Sequence, residues 1–183
     1  MASSRIAPAV PPFAADIQSA LDRIMPEGMA PLTLFTTLAR NPRVFGRFMS
    51  GGLLDKGTLS LRQRELVIDR ACALCGCEYE WGVHVALFGE RVGLGEAERH
   101  AIVHETPESP AWSDDERLIL RLVDSLHDTA RIPAPLWAEL DARFTSEQLI
   151  ELIVLTGLYH MVSFVANGLA LAPEAFAPRF PMR

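Results

Sequence analysis

Cysteine is scarce in this chain. There are three, and all fall within six positions, at Cys72, Cys75 and Cys77. An odd, clustered set makes a poor disulfide framework, which argues against a secreted, disulfide-stapled scaffold and for a reducing compartment. Blocks of like charge are missing too. Seventeen basic residues stand against 23 acidic ones, giving a formal net charge of −6, and no basic cluster interrupts that balance. A nucleic-acid or polybasic membrane role is therefore not expected. The first twelve residues hold one arginine, three prolines and no apolar run, unlike a secretory signal. They read as an ordered or half-ordered arm, with the cytoplasm as the expected location. Strand signals are nearly absent. What is present is ordinary globular composition: 183 residues, 49% hydrophobic and 22% charged, enough for one domain with a sizeable core.

Apolar residues recur at three- and four-residue spacing almost throughout, which predicts an all-α fold. Helices are expected over Phe13 to Met25, Pro31 to Ala39 and, after an Asn41 cap and first-turn Pro42, to about Ser50. Ser60-Leu61-Arg62-Gln63 fits a capping box and opens a strong helix to Cys75. Gly76 breaks it, and a second helix runs from Cys77 to about Arg91. Shorter helices are expected at Glu96 to His104 and Ile132 to Arg143, with a longer one from a Ser113 cap to Asp128. Thr145-Ser146-Glu147-Gln148 caps the most apolar stretch, which ends before Pro173. Glu151, His160 and Asn167 interrupt that stretch, so it reads as a buried core helix rather than a membrane span.

The segment that carries chemistry is Arg64 to Phe88, RELVIDRACALCGCEYEWGVHVALF. Cys77, Glu80 and His84 stand at i, i+3 and i+7, one stripe of a helix. Antiparallel packing across Gly76 would bring Glu65 of the preceding helix towards His84. A carboxylate on an imidazole fixes one tautomer and raises its basicity, giving an acid–base set. The apolar neighbours Val83, Val85, Ala86, Leu87 and Phe88 enclose it, and buried ionisable groups need partners.

This pattern resembles the carboxymuconolactone decarboxylase family, which includes the alkylhydroperoxidase D branch. The resemblance rests on Arg64-Glu65-Leu66-Val67-Ile68 followed by Gly76-Cys77-Glu78-Tyr79-Glu80-Trp81-Gly82-Val83-His84, with support from Asn41 to Leu61 and Leu155 to Leu169. It implies an alkylhydroperoxidase D-like helical bundle built round the helix pair Ser60–Cys75 and Cys77–Arg91. The implied organisation is an N-terminal arm and helix over 1–30, a family-like domain over 31–172 and a C-terminal tail over 173–183. It also implies a homo-oligomer: a trimer, hexamer or dimer.

The family's peroxidase branch resembles Glu, eleven residues, then Cys-x-x-Cys-x-x-x-His. Glu65, Cys77 and His84 match; the second cysteine, which attacks peroxide in that branch, is Glu80 here. The decarboxylase branch resembles Glu-x-x-x-His, as in Glu80 and His84. The favoured function is therefore acid–base chemistry on a small carboxylate, lactone or carbonyl compound. His84 moves the proton, Glu80 and Glu65 orient and tune it, and Cys77 shapes the pocket. Peroxide reduction by Cys77 as single thiol, and non-catalytic binding by an oligomer, are the alternatives. The carboxylates near Cys77 are expected to outweigh the helix dipole and keep its thiol protonated. Cys72-Ala73-Leu74-Cys75 is a CxxC out of register with His84 and reads as small core residues. Arg62, Arg64 and Arg70 are candidates for holding an anionic substrate. Tyr159, His160 and Asn167 are weaker pocket candidates. No metal or cofactor is assigned, because no ligand spacing supports one.

Overall fold

The computed structural model describes residues 4–53 and 55–183. Every regular element among them is helical: α1 (Ala15–Ile24), α2 (Thr33–Leu38), α3 (Pro42–Ser50), α4 (Leu61–Leu74), α5 (Glu78–His84), α6 (Glu96–His104), α7 (Asp114–Thr129), α8 (Ala134–Asp141) and α9 (Ser146–Gly168). The starts follow from capping chemistry. Asn41 accepts the Val44 N–H with Pro42 behind it. Ser60 with Gln63, Ser113 with Glu116 and Thr145 with Gln148 form reciprocal capping boxes.

Two expected helices differ in detail. The second starts at Thr33, two residues after Pro31, because its cap is not local. Glu174 of the C-terminal tail accepts the Thr33 N–H at 2.6 Å. The helix expected over Cys77 to Arg91 is α only to His84, then widens into a π turn over Val85–Gly89. Such turns insert one residue into the spiral and favour functional sites; here the turn directly follows His84.

α4 is the centre of the bundle. It packs against α5, α6, α7 and α9, and Leu66, Val67, Ile68, Ala71 and Cys72 are fully buried. Each such large aliphatic side chain contributes about 1.5–3 kcal/mol. A helix enclosed on nearly all sides has no solvated face for its charges. Glu65, Asp69 and Arg70 are consequently buried and need partners. Arg70 finds them in both oxygens of Asp124, each at 2.7 Å, and in the carbonyls of Ile102 and Glu105.

α9 is long and apolar enough to cross a membrane, yet Leu149, Leu152, Leu155, Thr156, Tyr159, Val162 and Ala166 form a buried stripe against α4, α5 and α7. It is a core helix of the bundle. The termini close over it. Arg5 donates to the carbonyls of Leu169 and Gly168. The tail lies on α5, where Phe180 meets the Trp81 ring edge-on and donates its N–H to Glu78. Tyr79 pins α2 to that tail, donating to Glu174 at 2.7 Å and accepting the Leu34 N–H at 3.0 Å.

Candidate active site

α4 and α5 are joined by three residues, Cys75-Gly76-Cys77. Gly76 has φ +60, the left-handed conformation glycine adopts without a Cβ penalty. Cys77 N–H bonds the Cys72 carbonyl and Gly76 N–H that of Ala73, a Schellman closure. The chain reverses there, so the two helices run antiparallel and Glu65 of α4 comes to face His84 of α5. His84 Nδ1 lies 2.7 Å from Glu65 Oε2, with both side chains almost fully buried.

The other Glu65 oxygen accepts from Arg64, Nε at 3.0 Å and Nη2 at 2.9 Å. The Arg64 guanidinium also lies over the Phe88 ring. On its far side, His84 Nε2 is 2.9 Å from the Tyr159 hydroxyl and 3.6 Å from Glu80 Oε1. Burial disfavours the imidazolium, but the charge and hydrogen bond of Glu65, with Glu80 behind them, outweigh it and hold His84 up to about 10. Both ring nitrogens then carry protons at neutral pH. Nδ1–H donates to Glu65 and Nε2–H to the Tyr159 oxygen, which leaves the Tyr159 O–H free to donate elsewhere. Burial first, then the Glu80 and Glu65 charges, push that phenol well above its usual range, so it stays neutral.

Glu80, His84 and Tyr159 line a cavity of about 770 Å³, within the size range of small-molecule sites. Phe35, Phe45, Phe48, Val83, Leu87 and Phe88 give it apolar walls, and Asp16, Arg23 and Asp55 stand at its exposed mouth. The three polar groups are buried and form its inner end. Glu80 Oε2 has no hydrogen-bond partner. The cavity thus meets one acceptor, Glu80, and one donor, Tyr159, backed by an imidazolium.

Of the four residues singled out in the sequence, Glu65, Glu80 and His84 come together, with Glu65 behind His84 rather than at the cavity wall. Cys77 is fully buried and does not line the cavity. The expected direction of its pKa shift is corrected. The Cys72 thiol beside it lowers the Cys77 pKa against the effect of burial, helped by the Glu80 N–H. The Glu80 charge opposes this only weakly, and Glu65 faces His84 instead. Burial keeps Cys72 itself a thiol. All three cysteines are free.

Tyr159 was a minor candidate in the sequence and is a principal group of the site. Asp69 went unremarked; its position four residues after Glu65 on α4 was the available signal. Burial pushes Asp69 well above the usual carboxylate range, against the His84 charge. Of the three arginines singled out in the sequence, Arg62 is held by Glu98, Glu116 and the Val92 carbonyl and Arg70 by Asp124, while Arg64 contacts Glu65 of the site; Arg23, at the cavity mouth, was not among them. Asn167 bonds the Cys75 carbonyl and His160 contacts His127, both away from the cavity.

Residues 41–106 match the model of the carboxymuconolactone decarboxylase family, a span that contains Glu65, Cys77, Glu80 and His84 but not Tyr159. The uncharacterized protein YnjA of Escherichia coli K12 is 29% identical over 119 residues, 61% of this chain and 64% of that protein. The match therefore spans just under two thirds of the relative's length. An uncharacterized peroxidase-related protein from Silicibacter sp. TM1040 superposes with a TM-score of 0.83 at 18% identity, covering 99% of this chain and 97% of its own. A protein of unknown function from Agrobacterium tumefaciens, described as a putative antioxidant defence protein AhpD, gives 0.68 at 24% identity over 74% and 94%. The debrominase Bmp8 gives 0.77 at 14% identity over 93% and 92%. The chain thus shares its helical fold with these solved structures, and its α3 to α6 segment, which carries the motif, matches the carboxymuconolactone decarboxylase family model.

Proposed function

We propose that this protein is an acid–base enzyme of the decarboxylase type, acting on a small, largely apolar carbonyl compound, lactone or carboxylate. The observation that carries this reading is the placement of Glu80, His84 and Tyr159 at the inner end of an apolar cavity that Cys77 does not reach. The substrate carbonyl accepts the Tyr159 O–H, whose oxygen is held by the His84 imidazolium. Glu80 takes a proton from the adjacent carbon, and the electron pair passes into the carbonyl as an enol protonated from Tyr159, itself resupplied by His84. Where a carboxylate leaves instead, carbon dioxide departs from that carbon and the same groups return a proton to it. Arg23 at the mouth is the cation placed to meet a substrate carboxylate.

A second reading has its own observation. Cys72 and Cys77 lie side by side, and the Cys77 pKa is lowered. A Cys77 thiolate could attack a hydroperoxide, becoming a sulfenic acid and releasing an alcohol or water. Cys72 would then displace water to form a disulfide, to be reduced by an external dithiol. Full burial of both sulfurs and their separation from the cavity place this second.

The two readings separate in one series. Turnover is screened against small lactones, ketones and carboxylates, and cysteine oxidation by hydrogen peroxide and an organic hydroperoxide is mapped by peptide mass. Acid–base chemistry predicts that Glu80→Gln and His84→Ala lose about 10²–10⁴-fold in turnover while Cys77→Ser retains it. Rapid stoichiometric oxidation at Cys77, reversed by a dithiol, with no turnover in the screen, would replace this reading with the peroxidase one. A protein inert in both assays that still binds compounds from the screen would be a binding protein.

A further inference from the structure

A second cluster of reactive side chains lies outside the cavity. Cys75 ends α4, His127 stands in the last turn of α7, and His160 is in the middle of α9. Their sulfur and ring-nitrogen atoms all lie within 4.8 Å of one another, and each residue is half-buried. His127 Nδ1 is 2.9 Å from His160 Nε2. His160 Nδ1 is 2.8 Å from the Thr156 carbonyl, which can only accept, so Nδ1 carries the hydrogen and Nε2 turns its lone pair into the cluster. A histidine whose other nitrogen donates to a backbone carbonyl has the usual arrangement of a metal ligand. Asn167 donates to the Cys75 carbonyl at 2.9 Å, which fixes the backbone that presents the sulfur. None of the three residues lines the cavity.

We propose that Cys75, His127 and His160 form a binding site for a zinc-class divalent ion, with the fourth position open to solvent. One thiolate and two imidazoles suit zinc and its neighbours, not the hard, oxygen-seeking magnesium or calcium. Zinc–nitrogen bonds of about 2.0–2.1 Å set two tetrahedral nitrogens about 3.3 Å apart, so the two histidines open by only a few tenths of an ångström. Binding releases the Cys75 thiol proton to the buffer and ties together three helices distant in sequence. Half-burial leaves an entry path.

The test uses the full chain, stripped with a chelator and titrated with zinc against a chromophoric competitor, then with cobalt as a spectroscopic probe. The expected results are one ion per chain and a thiolate-to-cobalt charge-transfer band with the intense visible bands of tetrahedral cobalt. Zinc should also raise the melting temperature, since an ion that binds only the folded state stabilises it. His127→Gln and Cys75→Ser should each weaken binding by about 100-fold or more, and Cys77→Ser should leave it unchanged. His127→Gln, at a half-buried position, keeps the test decisive if Cys75→Ser fails to fold. No charge-transfer band, equal affinity in His127→Gln, or loss of binding in Cys77→Ser would each overturn the assignment.

Discussion

Replacing Glu65 with glutamine keeps the shape of the side chain and removes the charge that His84 and Arg64 share. In the folded protein His84 is held at about 10, against an ordinary 6.5. Between those values the native state binds a proton that the unfolded chain has released. The resulting stabilisation is complete below the unfolded value and declines as pH rises, by at most about 1.4 kcal/mol per pH unit. It is gone once pH passes the folded value. Breaking a buried ion pair from one side costs on the order of 3–5 kcal/mol, a large share of the roughly 5–15 kcal/mol that holds a domain together. In Glu65→Gln only Glu80 remains to support the imidazolium against burial, so the alkaline slope should flatten. The assay is urea unfolding of both proteins at a series of pH values from neutral to about 10. Other groups titrating in that range act on both proteins and cancel in the difference. The wild-type advantage should be largest near neutral pH and shrink towards pH 10. A difference that stays constant across the range would refute the reasoning that Glu65 holds the His84 proton.

Tyr159→Phe removes the one hydroxyl between His84 and the cavity. It should lower turnover by about 10²-fold or more with little change in substrate affinity, read as a fall in kcat at constant KM. Gly82→Ala would drive a Cβ into the Pro178 carbonyl. It should detach the tail from α5, with a lower melting temperature and faster proteolysis after Ala172 as the readouts. We also propose that the exposed apolar stripe of α9, Ile150, Val154, Met161 and Phe164, packs against a second copy of the chain. Phe164→Glu should then reduce the mass measured by light scattering, whereas an unchanged mass would exclude that face.

The helices were legible because their ends are written locally, in Asn41-Pro42, Ser60 to Gln63, Ser113 to Glu116 and Thr145 to Gln148. The start of α2 was less so, since Glu174 supplies its cap from 141 residues away, and no local pattern encodes a distant carboxylate. The meeting of Glu65 and His84 could be read from the antiparallel pairing that Gly76 imposes. Tyr159 could be suspected but not placed, because its partner lies on another helix 75 residues earlier. The direction of the Cys77 shift was misjudged for a related reason. Spacing showed the nearby carboxylates, but whether Cys72 or Glu65 faces the sulfur depends on how the helices rotate against each other. Cys75, His127 and His160 carry no spacing signal at all, since three helices must pack before they meet.

Deuterium incorporation from heavy water into small ketones and lactones, followed by proton NMR, reads proton transfer at carbon without requiring the natural substrate. Wild type and Cys77→Ser should exchange the protons next to the carbonyl at similar rates, and Glu80→Gln and His84→Ala should fall to background. Exchange that survives in Glu80→Gln, or that disappears in Cys77→Ser, would contradict an acid–base site built on Glu80, His84 and Tyr159.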